Sequence, residues 1–454
     1  MSICTRLISY SCFLGLIALA HQLLGSEPTT RPNILVIVAD DMGWADVGYH
    51  GSPIPTPHID QLCKQSVELD RHYVAPMCTP TRAGLLTGRY WSRFGNHAPS
   101  NTRVLPWNTV TLASALQSVG YETYITGKWH LGSKTQWGPK QFGFQHSHGS
   151  LAGGVNPWSH LYKQGEYMQT WHRNDQLIEE KGHVTDLVTS EAVKFIEAKR
   201  EGPFFIYVPY TAVHTPFDET EKYLDLCQLI DTGRRQYAAS VAHLDDGVGQ
   251  MLAALEQTGQ RDNTLILFFS DNGGTNGDDS RNYPNTKATT KVQGLNHPLR
   301  GWKKQSYEGG IRVPAFVHWK GHLQPKKITA PLHVVDWMPT LCHLVGFEQE
   351  EDLAWDGQNI WPVITGKIPG NENRVLYNVG PGGTSVAVHL GDWKLIYNTK
   401  KKTSELFHLS VDPYEKTDRA ATNKKQLAKL QAIRVQESQK DNSDVPDHSI
   451  VIKP

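Results

Sequence analysis

Six short clusters carry side chains able to do chemistry together. Asp40-Asp41 follows the apolar run at 33–39, and Asp271-Asn272 follows a second run at 264–269. In doubly wound sheets, ligands sit beyond the carboxyl ends of the strands, so the two pairs are expected to converge. Three carboxylates and an amide oxygen held together repel one another unless a cation joins them. An all-oxygen set suits a hard ion, Ca²⁺ with Mg²⁺ as the other choice, better than a thiophilic metal. Isolated Asp pairs often only cap helices or end strands; two pairs behind two buried strands argue for a site. In Cys78-Thr-Pro-Thr-Arg82, the turn at Pro80 and the residues 83–86 put Cys78 near a helix N-terminus, whose free N–H groups favour an anion. Basic groups complete the set: Lys128 and His130 in Gly127-Lys-Trp-His, expected on one side of a turn, His214 in Val213-His-Thr-Pro, and Lys303 or Lys304 in Arg300-Gly-Trp-Lys-Lys. A lone His or Lys is more often a surface or core residue, so these carry weight only jointly. Fixed cations and donors around a developing negative charge stabilise it.

Bringing such clusters into one pocket needs a rigid layer beneath them. The unbroken apolar runs at 33–39, 203–209 and 264–269 have strand length and no alternation, as expected of strands buried on both faces. Helical spacing marks 111–119, 184–199 and 234–257, and 121–126 reads as a short strand. Alternating strand and helix predicts an α/β layer fold. Residues 273–299, rich in Gly, Asn, Asp, Thr and Pro, lack periodicity and read as a long loop over the site. Beyond about Gly366 the pattern changes. Residues 374–377, 385–390 and 393–397 read as strands of an antiparallel sheet, and Leu427, Leu430 and Ile433 give a closing helix one apolar face. The expected division is 26–366 for a catalytic domain and 367–454 for a C-terminal subdomain.

A chain of 454 residues is too long for one small core. Its 45 basic and 45 acidic residues leave no global field to attract nucleic acid or an anionic membrane, so any pull on an anionic ligand has to be local. Residues 1–25 read as an export signal: Arg6, an apolar run at 7–19 broken by Ser9, Ser11 and Gly15, then Ala18-Leu19-Ala20 as a cleavage site. The run is short and interrupted for a membrane span, which needs about 20 apolar residues. The expectation is a cleaved, exported protein in a periplasmic, secreted or lysosome-like compartment. Cys4 and Cys12 leave with the signal; Cys63, Cys78, Cys227 and Cys342 remain, at a spacing that matches no zinc site. Cys63 shares helical spacing with Ile59 and Leu62, behind Thr56 as N-cap and Pro57 in the first turn, and reads as core, as does Cys342.

Cys78, Pro80 and Arg82 form the C-x-P-x-R core by which type I sulfatases mark the cysteine that becomes formylglycine. Such a short pattern recurs by chance, but here Asp-Asp, Gly-Lys-Trp-His, Val-His-Thr-Pro and Asp-Asn-Gly-Gly stand around it in the order that family uses. The resemblance runs from about Pro32 to about Glu415 and is nearest to the arylsulfatase B-like branch over 40–51 and 78–93. Thr81 departs from the Ser of many relatives. The resemblance implies an alkaline phosphatase-like fold, a large mostly parallel sheet sandwiched by helices. It adds a smaller antiparallel sheet and helix, to which Gly391-Asp-Trp-Lys-Leu-Ile and Glu405-Leu-Phe-His-Leu-x-x-Asp-Pro-x-Glu correspond.

The same resemblance implies hydrolysis of a sulfate monoester to an alcohol and inorganic sulfate. Cys78 would be oxidised by a formylglycine-generating enzyme to 3-oxoalanine. One hydroxyl of its hydrate attacks sulfur, and the other expels sulfate by re-forming the aldehyde. Asp40, Asp41, Asp271, Asn272 and the side chain at 78 would hold Ca²⁺. Arg82 would hydrogen-bond the hydrate, and Lys128, His214 and Lys303 would contact the sulfate. His214 or Lys303 would protonate the leaving oxygen, and His130 would take the proton that lets the sulfated hydrate collapse. Lys303 aligns with the family's sulfate-binding lysine, with Lys304 the competing choice. The branch acts on sulfated sugars, so a sulfated carbohydrate is the expected substrate, with aryl sulfates as artificial ones. Trp107, Trp137, Trp158, Trp171 and Trp302 fall in predicted loops where they could stack on sugar rings or simply pack locally, and Asn96 and His97 are pocket candidates. Two other readings stand beside this one: a phosphonate or phosphodiester hydrolase of the same superfamily, and a non-catalytic polysaccharide-binding protein on the same scaffold.

Overall fold

Side chains of the strand Asn33–Ala39 alternate between two cores: Ile34, Val36 and Val38 enter one, Leu35, Ile37 and Ala39 the other. A strand covered on both faces has no polar side, which is why its sequence is unbroken in its hydrophobicity. The computed structural model describes residues 31–277, 280–286, 293–349, 351–371 and 373–448; the export signal expected at 1–25 lies outside them. Asn33–Ala39 pairs in parallel with Phe204–Pro209 on one side and Thr264–Ser270 on the other. These are the middle of a ten-stranded sheet. Towards one edge it continues in parallel through Glu122–Lys128 and His146–Ser150, then ends in two short antiparallel strands, Trp171–Arg173 and Gln176–Leu177. Towards the other edge come antiparallel Ala315–Trp319, then Val67–Leu69 and Lys326–Ile328. Helices Cys78–Thr87, Leu112–Ser118 and Trp337–Val345 pack on one face, and Pro57–Lys64, Val184–Glu197 and Arg235–Gln257 on the other.

A second sheet of four antiparallel strands, Val375–Val379, Ser385–Leu390, Trp393–Asn398 and Thr403–His408, follows in sequential order. The helix Lys424–Ser438 lies on it with Leu430 buried and Leu427 and Ile433 partly so. Tyr377, Val379, Val388, Leu395 and Leu406 join the core that covers one face of the large sheet, so the small sheet is cemented to the large one by apolar packing.

Several local expectations change. The strand read at 121–126 is Glu122–Lys128, so Lys128 ends a strand and does not stand on a turn. Trp171, expected in a loop, is buried in a strand, where its indole donates to Glu180. Thr56 holds the N-cap position without capping: its hydroxyl accepts from the Gly48 N–H at 2.8 Å and donates to Asp60 Oδ1 at 3.0 Å. Cys63, Cys78, Cys227 and Cys342 are all free and buried, with Cys63 and Cys342 in the core. The described part of 273–299 is loop, with one short turn of 3₁₀ helix at Ser280–Asn282, while 278–279 and 287–292 lie outside the described residues. Among the described residues no helix is long and apolar enough to cross a membrane.

Candidate active site

Two backbone hydrogen bonds lock the exits of the central strands together: Asp40 N–H donates to Ala212 O and Asp271 N–H to Ala39 O, each at 2.9 Å. Asp41 then turns into the left-handed region at φ 66°, a conformation that non-glycine residues adopt at a cost and that collects at functional sites. Its carboxylate meets Asn272, whose amide donates to Asp41 Oδ1 at 2.7 Å. Cys78 is the first residue of the helix Cys78–Thr87. Ligand atoms of Cys78, Asp40 and Asp271 lie within 4.8 Å of one another.

One helical turn further on, Arg82 projects beside Cys78, as four-residue spacing requires. It donates to Asp271 Oδ2 at 2.8 Å and to the Lys128 carbonyl at 2.7 Å, and lies 3.7 Å from Asp40 Oδ2. Lys128 Nζ donates to Asp40. Lys303 Nζ sits 2.6 Å from Asp41 Oδ1 and 2.7 Å from Oδ2. His214 Nε2 is 3.7 Å from Asp41 Oδ2, and its Nδ1 lies 2.6 Å from the Thr215 carbonyl, which accepts a hydrogen bond from Nδ1–H and leaves Nε2 without a proton in the neutral ring. His130, at φ 58°, keeps a buried Nδ1 with no hydrogen-bond partner.

Cys78, Asp41, His130, His214, Lys303 and Lys304 line a single pocket of about 230 Å³. The fold therefore gathers the six predicted clusters at one end of the sheet. The loop expected over the site supplies Thr275 and Tyr283 to the wall, while Pro99, Tyr162 and Lys163 escape sequence reasoning. It also missed Gly154: a Cβ there would stand 2.8 Å from His214 Nδ1, so this glycine clears room for the ring. The Gly153-Gly154 pair was the available signal. Asn96, His97 and the five tryptophans do not line this pocket.

Burial alone would raise the Asp40 carboxyl, but Lys128, His214, Arg82 and Lys303 overcome it and hold the group ionised well below the usual range. Asp271 has the same burial and additionally faces the Asp40 charge; Arg82 and Lys128 oppose both, and it settles at about 6. Burial, then Lys128 and Arg82, push His130 far down, leaving a neutral imidazole with room for a proton. His214 is lowered by burial and by Lys303. Burial opposes the charge on Lys303, yet Asp41 more than restores it. Burial raises the Cys78 thiol against the pull of Lys128 and Lys303, so the unmodified side chain is a poor nucleophile at neutral pH.

The donor set can be tested for a metal. Asp40 Oδ1 and Asn272 Oδ1 are buried without any hydrogen-bond partner. A buried polar atom left so is costly. Both are hard oxygens beside two more carboxylates, and they fit a hard divalent cation.

A mostly parallel sheet sandwiched by helices, with an acid cluster and flanking bases at its strand ends, is the build of an alkaline phosphatase-like hydrolase. The model of the Sulfatase family matches residues 32–347. Mouse (Mus musculus) Arylsulfatase J is 32% identical, over 87% of this chain and 73% of that relative. Rat (Rattus norvegicus) N-acetylgalactosamine-6-sulfatase is 30% identical, over 91% and 80%. The crystal structure of Ps i-CgsB in complex with k-i-k-neocarrahexaose superposes with a TM-score of 0.83 at 32% identity, over 92% of this chain and 95% of that one. The chain belongs to the sulfatase family and is a sulfuric ester hydrolase.

Proposed function

We propose that this enzyme removes sulfate from a sulfated carbohydrate, using Cys78 converted to 3-oxoalanine and a hard divalent cation, Ca²⁺ before Mg²⁺. The observation that carries the reading is the placing of residue 78: it opens a helix, against Asp40 and Asp271, inside a ring of Arg82, Lys128, Lys303, His130 and His214. Asp40, Asp41, Asp271 and Asn272, with the side chain at 78, would hold the cation, which supplies charge against the ester oxygens. The hydrated aldehyde supplies one hydroxyl to attack sulfur and a second whose deprotonation releases sulfate.

The chain's own residues do the rest. Lys128 and Lys303 carry fixed charge to where the sulfate sits, and Arg82 orients the oxygens at residue 78. His214, with Nδ1 committed to Thr215, faces the ester with Nε2; as the imidazolium, with a proton also on Nε2, it can protonate the departing alcohol, the role otherwise filled by Lys303. His130, neutral and with a free Nδ1, accepts the proton lost when sulfate departs. Likeness to N-acetylgalactosamine-6-sulfatase and to Ps i-CgsB, solved with k-i-k-neocarrahexaose, supports a sugar substrate. Export after cleavage near residue 25, a division of the mature chain at 366, and maturation by a formylglycine-generating enzyme belong to the same proposal.

The deciding experiment joins mass analysis of the peptide containing residue 78 to assays on sulfate and phosphate esters. Replacement of its sulfur by aldehyde oxygen, with sulfate turnover dominant, is expected. An intact thiol in fully active enzyme, or dominant phosphodiester turnover, overturns the proposal.

A further inference from the structure

Three motifs of the sequence meet in one buried cluster behind the site. Glu308 opens the short helix Glu308–Ile311 in the Lys303 segment, Lys394 lies in the strand Trp393–Asn398, and Glu415 follows the strand Thr403–His408. All three are fully buried. Lys394 Nζ sits 2.9 Å from Glu308 Oε1 and 2.8 Å from Glu415 Oε1. The other Glu308 oxygen accepts from the Tyr73 hydroxyl at 3.0 Å, and Glu415 Oε2 accepts from the Glu308 backbone N–H at 2.7 Å. Buried ion pairs are weak contributors to stability, often no better than apolar residues of the same volume. What this one does is pin the start of a helix to the small C-terminal sheet.

From that helix the geometry runs straight to the site. Gly309 N–H donates to the Arg300 carbonyl at 2.7 Å, while the Arg300 guanidinium donates to the Glu415 carbonyl at 2.8 Å. A Cβ on Gly309 would stand 2.6 Å from Gly301 O and 2.8 Å from Arg300 O, and one on Gly310 2.7 Å from Trp302 O. Only glycine lets the helix press on this turn. The turn is held from its far side by Lys303 N–H to Gly274 O at 3.1 Å and Lys304 N–H to Pro76 O at 2.8 Å. Lys303 Nζ then reaches Asp41.

We propose that Glu308, Lys394 and Glu415 are positioning residues for Lys303, so that the C-terminal sheet sets the place of a lysine in the active site. This rests on the reading that Lys303 contacts the sulfate.

The test is a double-mutant cycle on the full chain with a chromogenic aryl sulfate. Lys394→Met and Glu308→Gln are made alone and together with Lys303→Ala, reading kcat, KM and thermal midpoint. Lys303→Ala is expected to lose about a hundredfold in kcat/KM, and each single cluster variant, where folded, about tenfold, the scale of a misplaced group. Added to Lys303→Ala, the cluster variants should cost nothing further, because their effect runs through that lysine. A merely structural role would lower the thermal midpoint and multiply the losses. Unchanged kcat/KM in the cluster variants, or losses that multiply, overturns the positioning role alone. Full activity in Lys303→Ala overturns the reading of Lys303 as well. Should Lys394→Met fail to fold, Glu308→Gln completes the cycle.

Discussion

Two acid clusters, one around a buried histidine and one wholly buried, have similar membership and opposite character. At one, His243 stands between Glu219, 2.8 Å from Nδ1, and Asp186, 3.0 Å from Nε2, with Tyr223 and His183 stacked at 3.9 and 4.6 Å between ring centroids. Each ring nitrogen answers one carboxylate; burial works against the imidazolium, but the two acids raise it to about 9. At the other, Arg82, Lys128 and Lys303 oppose Asp40, Asp41 and Asp271, yet Asp40 Oδ1 and Asn272 Oδ1 still have no partner. Gathering acids does not by itself make a metal site. Unanswered oxygen lone pairs mark the second as a place for a ligand; at the first, the partnerless His183 Nε2 bears the proton of the neutral ring, since Nδ1 accepts from the Thr185 N–H, and the cluster is a strut.

The comparison breaks most sharply at the nucleophile. Cys78→Ala should abolish turnover, a fall of 10³ or more on the scale typical for covalent catalysts, while circular dichroism stays native. Activity beyond a trace would end the assignment. Next comes the cation. Chelation should remove activity and lower the thermal midpoint, with Ca²⁺ restoring both, and in Asp40→Asn neither should respond to Ca²⁺. A calcium-dependent rise in midpoint that persists in Asp40→Asn would move the metal elsewhere. His130→Ala should cost about a hundredfold in kcat, the usual share of one proton transfer, with KM nearly unmoved. A change confined to KM would assign His130 to binding.

The smallest effect on catalysis is expected at the strut. His243→Asn should leave kcat within a few-fold and cost stability instead. The folded pKa lies above the unfolded one, so the imidazolium's contribution is complete below the ordinary histidine value and is lost as pH rises through about 9. It is on the order of 3 kcal/mol at its full extent. The gap in thermal midpoint between native and variant enzyme should therefore be widest in mild acid and close in alkali. A gap that is constant with pH would show that His243 acts by packing alone.

The central strands were legible because burial on both faces leaves an unbroken apolar run, here of strand length and too short for a helix. The short strands Val67–Leu69 and Trp171–Arg173 were not, since three residues carry no periodicity and their pairing is decided by distant partners. Cys78, Arg82 and the Asp pairs stood out as motifs, and the fold brings them together. Lys128, expected on a turn with His130, instead ends a strand in which Gly127 sits at φ 127°, a conformation open to glycine. Pocket walls such as Tyr162 and Pro99 were invisible, because a wall is defined only by what faces it across space.

Cys78 exposes only 2% of its surface. It lies in a pocket of about 230 Å³ walled by lysines and histidines, which leaves a second protein little of its surface to grip. If a second enzyme rewrites this side chain, burial favours a meeting before the chain closes over it, with modification preceding folding.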